Sequence, residues 1–260
     1  MDTARIAALL EPYLERPLSP SQLQQISLYI ELLLRWNARI NLTAIRNEEE
    51  IVSRHFGESL FLARHLFPDP LYPCHPERSS RFAEREAVAE SKDPYPSSPP
   101  AAPKEASSEP QHPTRVMPPL GKPPMVVDIG SGAGFPAIPL KIWAPDVHLT
   151  LIESNHKKAT FLNEVARALA LTNLDVINER TEALTTRLSS RADVVTLRAV
   201  ERFGTILPQA AAFLAPKGRL ALLVTAGQTS HLTNLKTVDW YPHIRLPGSN
   251  TGLLSIGYKM

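Results

Sequence analysis

The stretch from Val126 to Pro136, VVDIGSGAGFP, constrains this chain more than any other. Val126 to Ile129 read as a buried strand, Gly130, Gly132 and Gly134 as a tight loop, and Pro136 as the first turn of a helix. Glycine has no Cβ, so such a loop turns sharply and lets a ligand approach the backbone. In a doubly wound parallel sheet it sits beyond the carboxyl end of the first strand, where ligands bind. The rest of the second half agrees. Met125 to Ile129, Leu149 to Ile152, Leu174 to Ile177, Val194 to Leu197 and Leu220 to Val224 are predicted as buried parallel strands. Pro139 to Trp143, His156 to Leu171 and Phe203 to Leu214 are predicted as the helices between them. Trp240 to Lys259 is expected to add two strands around the Pro247-Gly248-Ser249-Asn250 turn. The predicted class is α/β, Rossmann-like.

The loop also speaks to its ligand. A dinucleotide fingerprint is G-x-G-x-x-G and cradles a pyrophosphate. Here the spacing is G-x-G-x-G, with Phe135 where that fingerprint has its third glycine. S-adenosylmethionine has no phosphate and needs only close backbone approach, so the spacing favours it over NAD. Glu153, about 20 residues on, ends the second strand and can accept from both ribose hydroxyls. That device serves either cofactor. Glu182, after the third strand, either approaches the adenine or is a capping, solvated carboxylate.

Before the loop the chain is helical. Leu23, Ile26, Ile30, Leu33 and Leu34 recur at helical steps, with Ser19 or Ser21 as cap. A second helix is expected from Asn47, with Glu48, Glu49 and Glu50 in its first turn, where the helix dipole favours anions. Between the halves, 15 of the 25 prolines fall from Pro68 to Pro124 among Ser, Glu, Arg and Lys. Such a segment buries too little to offset its ordering entropy. It is expected to be a disordered linker, with at most a short charged helix from Glu77 to Glu90. The predicted division is a helical subdomain at 1–68, the Pro-rich insertion at 69–123 and a Rossmann-like domain at 124–260.

Bulk properties exclude more than they name. No run reaches the roughly 18 apolar residues of a membrane span, and the N-terminus shows no secretory hydrophobic region. The only cysteine, Cys74, makes neither an internal disulfide nor a cysteine zinc site. A cytoplasmic protein without a metal is therefore expected. A net charge of +2 permits a nucleic-acid partner without demanding one. The fourth strand leads into Leu197-Arg198-Ala199-Val200, not into the Asp/Asn-Pro-Pro-aromatic motif of exocyclic-amine methyltransferases. Cys74 lies in the insertion, which argues against cysteine attack on a pyrimidine. An acceptor that is already nucleophilic needs neither device, and guanine N7 is such an atom. Catalysis would then rest on aligning donor and acceptor.

Three segments together resemble the RsmG (GidB) family, bacterial small-subunit rRNA guanine-N7 methyltransferases. They are RWNARINLTAIRNEEEIVSRHFGESL from Arg35 to Leu60, VVDIGSGAGFPAIPL continuing through TLIESNHKKATFLNEVARALAL to Leu171, and ADVVTLRAV from Ala192 to Val200. The first is the most specific, since methyltransferases in general share only the glycine loop. The resemblance implies a class I S-adenosylmethionine-dependent methyltransferase fold with an N-terminal helical extension. It also implies a guanine in the decoding-region loop of 16S rRNA as substrate. By position it implies cofactor contacts at Gly130, Phe135, Thr181, Glu182 and Arg198, with Glu153 as the ribose-binding acid; Asp128, Gly132 and Gly134 of the strand and its loop complete the expected cofactor-binding set.

Arg198 and His55 are the implied catalytic pair. Arg198 would face cofactor and RNA, or else be a structural partner of Glu182. His55 belongs to the active-site rim, or else is a packed histidine joining the two parts. Asn41, Arg46 and Arg54 look like the rest of the N-terminal rim. Lys157 and Lys158 open a helix where the dipole disfavours cations, which suits phosphate contact; Arg46 and Arg54 complete the implied RNA-binding set. The small ribosomal subunit is the implied partner, and a monomer is expected. Ala137 replaces the family's usual glycine, the insertion exceeds its short connection, and Ala226 stands where it usually has lysine. A non-catalytic RNA- or ribosome-binding protein and a nicotinamide-dependent oxidoreductase are the rival readings.

Overall fold

The computed structural model of the protein describes residues 1–68, 123–200 and 202–260. The expected insertion at 69–123, but for its last residue, therefore lies outside the described residues, as do Cys74 and the stretch from Glu77 to Glu90.

Among the described residues, three helices precede the sheet. Helix α1 (Thr3–Leu10) starts where Asp2 accepts from the Ala4 amide. Helix α2 (Pro20–Asn37) opens on a capping box: Ser19 Oγ accepts from Gln22 N at 3.2 Å, and Gln22 Oε1 from Ser19 N at 2.9 Å. Ser19, not Ser21, is thus the cap, and Pro20 fills the first helical position, where no N–H is needed. Asn47 caps the third helical stretch by accepting from Glu50 N at 3.0 Å. This stretch, called α3, runs through Glu48–Glu50, a wide π-helical passage at Ile51–Gly57, and Glu58–Leu66. The wide passage is absent from any periodicity reading, and it has a chemical consequence. The Glu58 amide donates to the carbonyls of His55 and Ser53, skipping that of Arg54.

Among the described residues the sheet has eight strands: β1 (Met125–Ile129), β2 (His148–Ile152), β3 (Leu174–Ile177), β4 (Ala192–Arg198), β5 (Leu214–Thr225), β6 (Val238–Trp240), β7 (Ile244–Arg245) and β8 (Gly252–Lys259). Their order is β3-β2-β1-β4-β5-β8-β6, with β7 also paired to β8. The first five are parallel, and β8 joins β5 antiparallel. Helices α4 (Ala137–Trp143), α5 (His156–Ala168), α6 (Thr181–Leu188) and α7 (Phe203–Phe213) make the crossovers. Strand order reverses at β1, between β2 and β4, and the crevice outside their carboxyl ends is where such sheets bind ligands.

Side chains alternate across the sheet. One apolar cluster joins Val126, Val194, Ala221 and Leu223 to α4 and α5 and also to Ile6, Leu10, Ile26, Tyr29, Ile30, Leu33, Phe56 and Leu60 of the N-terminal helices. The other joins Val127, Ile129, Val195 and Leu197 to α7. Segments 1–68 and 124–260 therefore share a single core on one face of the sheet. On that face the apolar positions end in polar ones: Val126 gives way to Asp128, and Val194 to Thr196 and Arg198.

Candidate active site

One flank of the crevice is built from nearby chain. The amides of Gly130 and Ser131 donate to the Ile152 carbonyl at 2.9 and 3.1 Å, locking the glycine loop to the end of β2. Glu153, buried at that end, accepts from Gly132 N at 2.8 Å and from Asn155 N at 2.7 Å, one on each oxygen. A carboxylate has about four lone-pair sites, so each oxygen keeps capacity for one more donor. Asn155 in turn caps α5 by accepting from Lys157 N and Lys158 N. The three glycines serve different ends. A Cβ on Gly130 would press on Val200, at 2.9 Å, and one on Gly134 would strike the Tyr29 hydroxyl and Ile138. A Cβ on Gly132 would meet nothing nearer than the Gly130 carbonyl at 3.7 Å. Of the three, only the middle glycine leaves room for a Cβ at ordinary contact distance.

The other flank is built from distant chain. Phe135, buried behind the loop, lies between the rings of Tyr29 (centroids 5.3 Å apart, planes at 10°) and His55 (4.7 Å, 15°), with Phe56 edge-on. The Tyr29 hydroxyl donates to the Ala133 carbonyl inside the loop. His55 Nε2 lies 2.7 Å from Thr43 Oγ1. Burial first, then the charges of Arg198 and Arg54, push the His55 pKa down to about 3, so the ring is neutral at physiological pH. Arg198, at the end of β4, is 13% exposed and bonds through Nη2 to Glu58 Oε2 and to the Arg54 carbonyl, both at 2.7 Å. Glu58 is 8% exposed. Its partner role answers the alternative raised from sequence: Arg198 pairs with Glu58 of α3, not with Glu182.

Asp128 is almost fully enclosed; Oδ1 accepts from Thr196 Oγ1 at 2.6 Å. Burial pushes its pKa up to about 7, against the pull of hydrogen bonds from Thr196 and Ser131. Asp128 Oδ2, Arg198 Nη1 and His55 Nδ1 are buried without a hydrogen-bond partner among the described residues. Buried polar atoms are ordinarily satisfied, so three orphans at one sheet edge mark a place meant for a ligand.

The remaining expected residues spread along the same edge. Thr181 is buried at the start of α6, and Glu182 is exposed beside it. Lys157 is exposed and Lys158 half-buried in the first turn of α5. Arg54 is exposed, 3.6 Å from Glu58 and 3.8 Å from Glu50. Arg46 braces its own loop, donating to the Asn37 carbonyl at 3.0 Å and to Asn41 Oδ1 at 3.3 Å. Ala226 lies exposed in a short turn after β5.

Sequence reasoning did not single out Tyr29, Asn37, Glu58 or Thr196. Tyr29 was within reach, since Ile26, Tyr29, Ile30 and Leu33 follow helical spacing. Asn37 accepts from Leu42 N and Thr43 N and donates to the Thr43 carbonyl, which closes the loop after α2. Trp36 donates to Glu164 at 3.0 Å.

These residues fit S-adenosylmethionine. Its methionyl end is a zwitterion, and the orphaned oxygen of Asp128 and nitrogen of Arg198 are an acceptor for an ammonium and a donor for a carboxylate. Glu153 keeps lone pairs for the ribose hydroxyls, and Gly132 leaves room at the loop. Among the described residues no group of three His, Cys, Asp or Glu could hold a metal ion, and no helix is long and apolar enough to cross a membrane.

Comparison with known proteins agrees. The family model described as GidB, rRNA small subunit methyltransferase G, matches residues 22–70 and 115–239, more than half of the chain. Ribosomal RNA small subunit methyltransferase G of Chloroflexus aggregans is 33% identical over 212 residues, spanning 78% of this chain and 67% of that protein. Its counterpart in an Exiguobacterium strain is 32% identical over 215 residues, spanning 82% and 68%. A S-adenosylmethionine-dependent methyltransferase structure from Aquifex aeolicus superposes with a TM-score of 0.45 at 14% identity, over 54% of this chain and 84% of that one. The glycine loop, the acid at the end of β2 and the segment around α3 thus fall inside one matched family, and the chain belongs to GidB, the rRNA small subunit methyltransferase G family.

Proposed function

We propose that the protein transfers the methyl group of S-adenosylmethionine to N7 of a guanine in 16S rRNA of the small ribosomal subunit, acting in the cytoplasm as a monomer. The observation that carries this reading is the polar end of one sheet face. Asp128 and Arg198, an unpartnered acceptor and an unpartnered donor, suit the methionyl zwitterion next to a loop that leaves room at Gly132. The cofactor supplies an electrophilic methyl group. The chain's own residues bind, orient and exclude water. Guanine N7 has an in-plane lone pair and no proton to lose, so no general base is required. His55 suits such a site: it is uncharged and held by ring stacking, as a wall rather than a proton carrier. Thr181 and Glu182 would border the adenine, and the backbone of Phe135 would complete the loop while its ring anchors the N-terminal helices. Arg54, Lys157 and Lys158 would meet RNA phosphates, with Arg46 holding the rim loop in shape.

The test is transfer of labelled methyl from S-adenosylmethionine to small-subunit RNA lacking this modification. The labelled base is then located by strand scission selective for 7-methylguanosine, with Gly130→Asp in parallel. Label at one guanine, absent from the variant, is expected. Cofactor binding without label on either free RNA or intact subunits would refute the assignment and leave a non-catalytic RNA-binding protein.

A further inference from the structure

We propose that Glu58 is a positioning residue for methyl transfer: by holding one edge of the Arg198 guanidinium it presents the other edge to the carboxylate of the bound cofactor. This inference rests on the methyltransferase reading above and adds to it a residue from outside the sheet domain.

The geometry begins with the wide passage of α3. Because the Glu58 amide bonds the carbonyls of His55 and Ser53, the Arg54 carbonyl is free to accept from elsewhere, and Arg198 Nη2 takes it at 2.7 Å. Glu58 Oε2 accepts from the same nitrogen, also at 2.7 Å. A terminal guanidinium nitrogen has two protons, so Nη2 is fully used. Nη1, with two more, is buried and has no acceptor among the described residues.

A purely structural Arg–carboxylate staple prefers the fork, with two nitrogens on two oxygens. Glu58 does not use it. One of its oxygens takes Nη2 alone, and the other turns to Arg54 Nε at 3.6 Å. The arrangement secures one edge of Arg198 and leaves the other unmet. The unmet edge is enclosed, which suits the compact carboxylate of a small molecule better than a phosphate on a bulky RNA. It stands on the same sheet face as Asp128, whose own unpartnered oxygen suits the ammonium of that same molecule. Burial disfavours the charge on Arg198, and the nearby Glu58 carboxylate counters this. Without Glu58 the guanidinium would lose its aim and the carboxylate that offsets the burial of its charge.

The experiment compares the full-length protein with Glu58→Gln and Glu58→Asp. S-adenosylmethionine affinity is measured by calorimetry without RNA, kcat and KM for small-subunit RNA separately, and the melting temperature of each protein. Glu58→Gln should raise the cofactor Kd about tenfold or more, the worth of one charge-assisted hydrogen bond. KM for RNA should stay within about twofold, and Glu58→Asp should recover most of the affinity. A Glu58→Gln protein that melts like wild type with an unchanged cofactor Kd would overturn the proposal. So would a rise confined to KM for RNA, or a Kd that only tracks lost thermal stability in both variants. Should Glu58→Gln not fold, Glu58→Met, uncharged and of similar length, is read in its place against wild type. Wild-type protein that binds cofactor but methylates no RNA would sink the activity reading alone, since the effect of Glu58 on Kd is still measured.

Discussion

On the β2 side of the crevice, Glu153 reaches Gly132 across 21 residues of chain and takes backbone N–H groups. On the β4 side, Arg198 reaches Glu58 across 140 residues and meets a side chain and a carbonyl. Glu153 has both oxygens bonded before any ligand arrives, whereas Arg198 Nη1 and His55 Nδ1 on the far side are buried without partners among the described residues. The near flank is therefore shaped mainly by the loop's own closure, with one bond from Tyr29 inside it. The far flank holds its shape only while α3 is docked on the sheet.

Four measurements can break or sharpen this contrast. The largest effect should come from Arg198→Met, which leaves the buried Glu58 carboxylate with only its longer contact to Arg54. Losing one member of a buried pair costs about 3–5 kcal/mol, and chemical denaturation should show a loss of that size. A loss under about 1 kcal/mol, usual for exposed pairs, would mean the far flank does not depend on the pair.

Next comes Asp128. Its folded-state pKa of about 7 lies above the ordinary carboxylate value, so the folded protein favours the protonated acid. That contribution to stability is full below about pH 4 and is lost as pH rises through 7. Asp128→Asn should therefore be more stable than wild type at pH 8, by on the order of 2 kcal/mol, with the gap closing at acid pH. Because the ionised form is the one suited to an ammonium, wild-type cofactor affinity should rise between pH 6 and 8 and the variant's should stay flat. Equal stabilities at pH 8 would count against the buried acid.

Tyr29→Phe removes the donor to the Ala133 carbonyl while keeping the stack on Phe135. A loss of about 1 kcal/mol is expected, together with weaker cofactor binding, because the bond lies inside the glycine loop. Undisturbed affinity would show that the near flank holds its shape without the N-terminal helices. The smallest effect should be that of Arg35→Ala. Its pair with Glu164 is largely exposed, so melting should move by less than about 1 kcal/mol.

The same contrast decides what could be read in advance. The parallel strands came from apolar runs, and β1 and β3 fall on their expected bounds because the turns beside them are punctuated in sequence. Asn47 was legible as a cap, and Glu153 as a site acid, because both act within a short reach of chain. Strand β5 extends back to Leu214, well before the expected Leu220, since pairing with β4 carries it through a polar stretch. The pairing of Glu58 with Arg198 and the stacking of Tyr29 on Phe135 exist only once α2 and α3 lie on the sheet. The local pattern of α3 gives no sign that its register widens at Ile51–Gly57. The helices expected at 1–68 pack on the sheet and form one wall of a shared core.

That shared core also sets an order of events during synthesis. Tyr29 precedes Ala133 by 104 residues, which at 5–20 residues per second is an interval of about 5–20 s. Throughout it Ile26, Tyr29, Ile30 and Leu33 have no sheet to cover them, because β1 and the glycine loop are not yet made. The first helices must wait, unburied, for the strand that completes them. The docking of the chain's first segment on its second thus comes no earlier than the synthesis of the glycine loop.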